Sequence, residues 1–89
     1  MRPQVADFRW PPGVEEKVAS KHGLSREEVE ECFFHRYASV RKGKGVLHLF
    51  SRTEAGAYVF VVFTFRQRQA TIITARHMTT SERRLFRRK

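Results

Sequence analysis

Three arginines, Arg52, Arg66 and Arg76, fall at or near the C-terminal ends of segments patterned as β-strands. A guanidinium offers a planar fork of donors that suits two parallel, charge-assisted hydrogen bonds to a phosphate. Each could equally be a solvated strand end that aids solubility or meets a partner protein. Arg66 and Arg76 belong to consecutive segments that would run antiparallel, so they would project from opposite edges of a sheet. Spacing alone does not gather all three arginines into one site. Lys21 and His22 precede a helix C-terminus, where the helix dipole favours cations without any further purpose. His22, His48, His77 and Glu54 are the candidate proton acceptors, and nothing in their spacing selects one. Trp10 could stack on a nucleobase, although the commoner use of such a residue is to anchor a segment on a sheet. Cys32-x-x-His35 is half of a ligand set with no second pair at zinc spacing. Cys32 therefore reads as a buried apolar residue, and neither a metal, a thiol nucleophile nor a cofactor is expected.

The elements that must position these residues are marked locally. Asp7 to Trp10 reads as a short extended piece stopped by Pro11 and Pro12. Residues 13–22 form a helix with Val14 and Val18 on one face, ended by Gly23. Ser25 with Glu28 makes a capping box, Leu24 and Val29 a hydrophobic staple, and Val29, Cys32 and Phe33 an apolar stripe on a second helix. Residues 35–45, basic and glycine-containing, read as a loop or the ragged start of a strand. Residues 46–52 alternate, with Leu47 and Leu49 on one face and Val46, His48 and Phe50 on the other. Residues 53–56 make a hairpin connection, 58–66 a central strand covered on both faces, and 69–76 a third strand after a turn at Gln67-Arg68. Thr79-x-x-Glu82 is a second capping box, opening a short helix that runs to Arg87-Arg88-Lys89. The order is strand stub, two helices, an antiparallel meander and a short helix: one α+β domain over residues 1–89.

The net charge of +9 in 89 residues implies an anionic partner. It is unevenly held: residues 1–34 carry −2 and residues 35–89 carry +11. The basic residues of the second part are interleaved with strand segments, so the cationic surface belongs to a folded sheet. A lone cysteine excludes a disulfide-stapled miniprotein. The opening MRPQVADFRWPP lacks the apolar core of a signal peptide, and the apolar run at 58–65 is too short to span a bilayer. A soluble, cytoplasmic domain without membrane attachment is expected. Neither a P-loop, a dinucleotide fingerprint nor the signature of an RNA-recognition module is present.

In order and spacing these landmarks resemble the BrnT family of bacterial toxins, within the wider RelE-like group of small ribonucleases. The likeness is carried by Phe8-x-Trp10, by Lys21-His22-Gly23-Leu24-Ser25 running into Glu27-Glu28-Val29-Glu30-Glu31-Cys32-Phe33, by Arg52-Thr53 before a glycine, and by Phe60-Val61-Val62-Phe63-Thr64. It continues in Ile72-Ile73-Thr74-Ala75-Arg76, Met78-Thr79 and Glu82-Arg83, and so covers roughly 8–88. Pro11 departs from the aspartate usual after the tryptophan, and Ser51 from the glycine common before the arginine.

The resemblance implies a RelE-like fold, with two N-terminal helices packed on a twisted antiparallel sheet and a short C-terminal helix. It implies the toxin of a type II toxin–antitoxin system: a metal-independent endoribonuclease that cuts RNA by attack of the 2′-hydroxyl. The partner would be a BrnA-like antitoxin, in a 2:2 complex that binds operator DNA through the antitoxin. Arg76, then Arg66, would be the catalytic arginines, joined by His22 and Glu82, with Glu82 also able to hold an arginine in place. Lys21, Arg52, Arg68, Arg83 and Trp10 would bind RNA. The rival is a non-catalytic domain that uses the same cationic sheet to hold nucleic acid or an acidic partner.

Overall fold

Nine consecutive residues that are β-branched or aromatic almost throughout form the middle of the sheet, buried on the helix side and, on the other, covered at Phe60 but exposed at Thr64 and Arg66. The elements run β1 (Asp7–Arg9), α1 (Val14–His22), α2 (Arg26–Cys32), β2 (Ser39–Lys42), β3 (Leu47–Arg52), β4 (Tyr58–Arg66), β5 (Gln69–His77) and α3 (Thr80–Arg87). A computed structural model describes residues 4–87. Arg88 and Lys89, read from the sequence as the end of the last helix, lie outside the described residues. The strand order is β1-β5-β4-β3-β2. The expected meander is β3-β4-β5, antiparallel throughout. Two edge strands extend it: β1 pairs parallel with β5, and β2, within the segment read as a loop or ragged strand, pairs antiparallel with β3.

The helices start and stop where local chemistry dictates. Ser25 Oγ accepts from the Glu28 N–H at 3.1 Å and Glu28 Oε1 accepts from the Ser25 N–H at 2.9 Å, completing the capping box. Gly23 ends α1 at φ +66°, donating its N–H to the Ala19 carbonyl. Gly13 opens α1 without any side-chain cap. Trp10 Nε1 and Arg26 Nε both donate to Glu30 Oε2, at 2.9 and 3.0 Å, tying the N-terminal segment to α2.

The two faces of the sheet differ. On the first, α1 and α2 bury Val18, Leu24, Val29, Cys32 and Phe33 against Leu49, Val59, Val61, Phe63, Ala70, Ile72 and Ala75. On the second, α3 covers one end only, with Phe86 against Phe60 and Met78, and Phe50, Tyr58 and Val62 beside them.

A register shift decides which face Arg76 joins. Phe63 pairs with Ile72 and Val62 with Thr74, so Ile73 is an unmatched bulge residue. Strict alternation from Ile72 would carry Arg76 into the helix-covered core. The bulge re-phases the strand, so that Ala75 turns inward opposite Val61 and Arg76 stands opposite Phe60 on the second face.

Candidate functional site

Arg76, Glu82, Arg52, Arg83 and His48 gather at that second face. The Arg76 guanidinium carbon lies 4.3 Å from the centre of the Phe60 ring. Its Nη1 donates to Glu82 Oε1 at 2.8 Å and to the His77 carbonyl at 3.1 Å, and its Nη2 donates to Glu82 Oε2 at 3.0 Å. A guanidinium has five N–H donors. Three are used, leaving Nε–H and the second Nη2–H on one edge of the plane, without a partner among the described residues. Ring, carboxylate and carbonyl thus fix the group while one fork faces outward, in the geometry that grips a phosphate.

Glu82 has two structural tasks at once. Its Oε1 accepts from the Thr79 N–H at 2.9 Å and Thr79 Oγ1 accepts from the Glu82 N–H at 3.1 Å, the second capping box. The hydrogen bonds from Arg76, with the Thr79 N–H and the arginine's charge behind them, hold the carboxyl at about 2, well below its ordinary 4.5, against an opposing effect of burial. The Arg76 guanidinium is held correspondingly above its usual value, chiefly by the same hydrogen bond. A carboxylate so weakly basic is a poor proton acceptor, and its two oxygens hold the Arg76 guanidinium in place.

A pH dependence follows. The stabilisation from a depressed carboxyl is fully present above about 4.5 and is lost as the pH falls towards about 2. Glu82→Gln keeps an N3 side chain able to complete the capping box but removes the charge. Wild type should melt a few degrees above Glu82→Gln at neutral pH, with the difference vanishing near pH 2, followed by circular dichroism. A gap that persists in acid would show the pair to be energetically idle.

Arg52 and Arg83 reach the same face and share one ring: their guanidinium carbons lie 4.9 and 4.8 Å from the centre of Tyr58. Neither forms an ion pair among the described residues. Sequence reading named both arginines but missed the rings that hold them. The available signal was the alternation itself, since His48, Phe50 and Arg52 share one face of β3 and Tyr58 and Phe60 the facing side of β4.

The other expected site residues lie elsewhere. Arg66 pairs with Gln69 at the far end of the β4–β5 hairpin, and Arg68 sits in its turn, where Gln67 and Arg68 both have positive φ. Seven residues of strand, roughly 20 Å, separate that end from Arg76, so Arg66 and Arg76 do not share a centre. Lys21 and His22 end α1, on the opposite side of the sheet. Trp10 packs on the helix-covered core with its indole N–H engaged by Glu30, an anchor and not an open stacking platform. Of the four proton-acceptor candidates, His48 stands on the Arg76 face, its ring 5.1 Å from Phe60. His77 pairs with Val59, whose side chain turns to the helices, and the Glu54 backbone N–H donates to Glu31. Cys32 is buried, its thiol pushed up to about 12, mainly by burial. Among the described residues no three His, Cys, Asp or Glu side chains gather into a metal-binding group.

The second face of this small α+β domain thus sets three guanidiniums, those of Arg52, Arg76 and Arg83, against the rings of Tyr58 and Phe60. The chain belongs to the BrnT family, the ribonuclease toxins of type II toxin–antitoxin systems, whose family model matches residues 10–82. Its fold is that of the Brucella abortus ribonuclease toxin BrnT: the TM-score is 0.70 at 19% identity, over 83% of this chain and 97% of that one. No curated protein matches the chain. It is accordingly a ribonuclease toxin, with RNA as substrate and an antitoxin as partner. No helix among the described residues is long and apolar enough to cross a membrane.

Proposed function

We propose that this toxin cuts RNA without a metal, with Arg76 at the reacting phosphate. The 2′-hydroxyl oxygen attacks the adjacent phosphorus and the bond to the 5′-oxygen breaks, leaving a 2′,3′-cyclic phosphate and a 5′-hydroxyl. The proton leaves the 2′-oxygen and one is delivered to the departing 5′-oxygen. The free edge of Arg76 meets the non-bridging oxygens, where negative charge grows in the transition state. Glu82 and Phe60 pre-orient it, so little reorganisation is needed at the moment of reaction. His48 is the side chain we assign as proton acceptor, since it shares the Phe60 platform with Arg76. The observation that carries this reading is the outward, unpaired edge of an otherwise fully held guanidinium.

The test is incubation of the purified toxin with RNA in EDTA. Fragments ending in cyclic phosphate are expected. Intact RNA in EDTA, with cleavage restored by a divalent ion, would overturn the metal-free mechanism, and intact RNA with salt-sensitive binding in both conditions would favour a domain that only binds.

The proposal extends to the partner. The antitoxin, BrnA-like, covers the cationic face with acidic or apolar groups, in a cytoplasmic 2:2 complex that binds operator DNA through the antitoxin. The strongly cationic second half of the chain supports this. A complex of one toxin with one antitoxin by light scattering would sink the assembly.

A further inference from the structure

We infer that Arg52, Tyr58 and Arg83 form a second phosphodiester subsite, which grips the RNA backbone one nucleotide from the phosphate at Arg76. The inference rests on the ribonuclease reading above and adds to it. One phenol ring holds two guanidiniums at 4.9 and 4.8 Å with no carboxylate on either. Two like charges gathered on one ring repel each other, and an anion between or beside them relieves that repulsion. Arg52 Nε is buried and has no hydrogen-bond partner among the described residues, so it is the terminal nitrogens of this guanidinium that would meet an anion.

The surroundings are made of donors. Arg52 and Tyr58 line a hollow of about 350 Å³ with Tyr37, Phe86 and Arg87, so every ionisable head there is a guanidinium or a phenol. A phosphodiester, which only accepts hydrogen bonds, matches that lining. Gly56 leaves room for the Arg52 guanidinium. It turns the chain at φ +99°, and a Cβ added there would stand 3.3 Å from Arg52 Nη2.

Position favours RNA over an acidic segment of a partner. Tyr58 and Phe60 are two residues apart on the same face of one strand, roughly 7 Å, about the length of one nucleotide in an extended single strand. The two rings that carry the arginines thus stand about one phosphate spacing apart along β4. Tyr58 is here a positioning residue, and Arg52 and Arg83 are the groups that touch the backbone. Tyr37, exposed beside them with Arg36 over its ring at 4.9 Å, borders the hollow where a base would lie.

The experiment measures binding apart from cleavage. A short, dye-labelled 2′-O-methyl oligoribonucleotide of mixed sequence, which cannot be cut by 2′-hydroxyl attack, is titrated with full-length toxin across a salt series. Each of Arg52→Gln and Arg83→Gln should lower the slope of log affinity against log salt by about 0.7, the value for one phosphate contact on a single strand, and the double variant by about twice that. Tyr58→Phe keeps the ring and should keep the wild-type slope, whereas Tyr58→Leu should lose the contribution of both arginines. Unchanged slopes in the two arginine variants would overturn the subsite. So would a loss confined to antitoxin binding, which would mark the hollow as part of the protein interface. If Tyr58→Leu fails to fold, the arginine variants still decide. Lowered slopes in a toxin that never cleaves unmodified RNA would leave the subsite standing and sink the mechanism, and normal cleavage with unchanged slopes would do the reverse.

Discussion

Arg76→Ala is expected to lower the rate of RNA cleavage by about 10²–10³-fold, the loss typical of removing one donor aimed at developing charge. The loss should fall on kcat, with KM changed little, because the free fork is matched to charge that grows only in the transition state. Arg76→Lys should recover only a small part of it. An ammonium keeps the charge but cannot bond both Glu82 oxygens and still present a planar fork to the phosphate. The variant should remain folded, since Arg76 is partly exposed and the Glu82 carboxylate it leaves behind still reaches water. Single-turnover cleavage measured beside a circular dichroism melt checks both halves. A folded Arg76→Ala that cuts within tenfold of wild type would remove Arg76 from the reacting centre.

What makes Arg76 available could be read from the sequence only in part. The segment was recognisable as a strand and its final arginine as a candidate for phosphate by resemblance, but a period-two reading faces that arginine into the core. The re-phasing at Ile73 is written there only as a doublet, Ile72-Ile73, that a flat strand would split between two faces. A bulge depends on what the neighbouring strand offers, here Val62 beside Phe63, so a single segment under-determines it. The β2 strand was obscured for a similar reason. Ser-Val-Arg-Lys has no strong alternation of its own, and it is extended because β3 presents a free edge.

Features fixed by short-range chemistry were legible. The capping boxes at Ser25 and Thr79 and the glycine end of α1 each depend on residues within one turn. Ser51 shows the boundary between the two cases. It departs from the glycine expected there, is fully buried, and donates its hydroxyl to the Cys32 carbonyl at 2.6 Å. That carbonyl lies in the last turn of α2, past the helix's own donors, where the backbone offers it only a long 3.5 Å bond from the His35 N–H. The hydroxyl and the helix end lie 19 residues apart in the chain, so neither announces the other. The Arg52–Tyr58–Arg83 cluster was hidden in the same way, because charge counting finds arginines and not the ring between them.

Phe63→Ala should have the largest effect on stability. Phe63 is the largest fully buried side chain, and its ring meets Phe33 edge-on at 4.9 Å, which in turn meets Phe8 at 5.1 Å. This run of rings joins the middle strand to the end of α2 and to the edge strand β1. Truncation removes the ring and leaves a cavity that three elements cannot easily close, costing about 3–5 kcal/mol. Against a total of about 5–15 kcal/mol, that loss is decisive for a domain this small. The melting temperature should fall by at least about 12 °C. Antitoxin binds the folded toxin, so saturating antitoxin should restore part of the loss by mass action. Phe63→Ala and Arg76→Ala would both abolish toxicity in cells, yet for opposite reasons. Phe63→Ala should be poorly folded alone and raised in melting temperature by its partner, whereas Arg76→Ala should be folded and inert in either state. A Phe63→Ala protein that melts within a few degrees of wild type would mean that the helices and sheet can close over the cavity, and that the core is far more plastic than its burial implies.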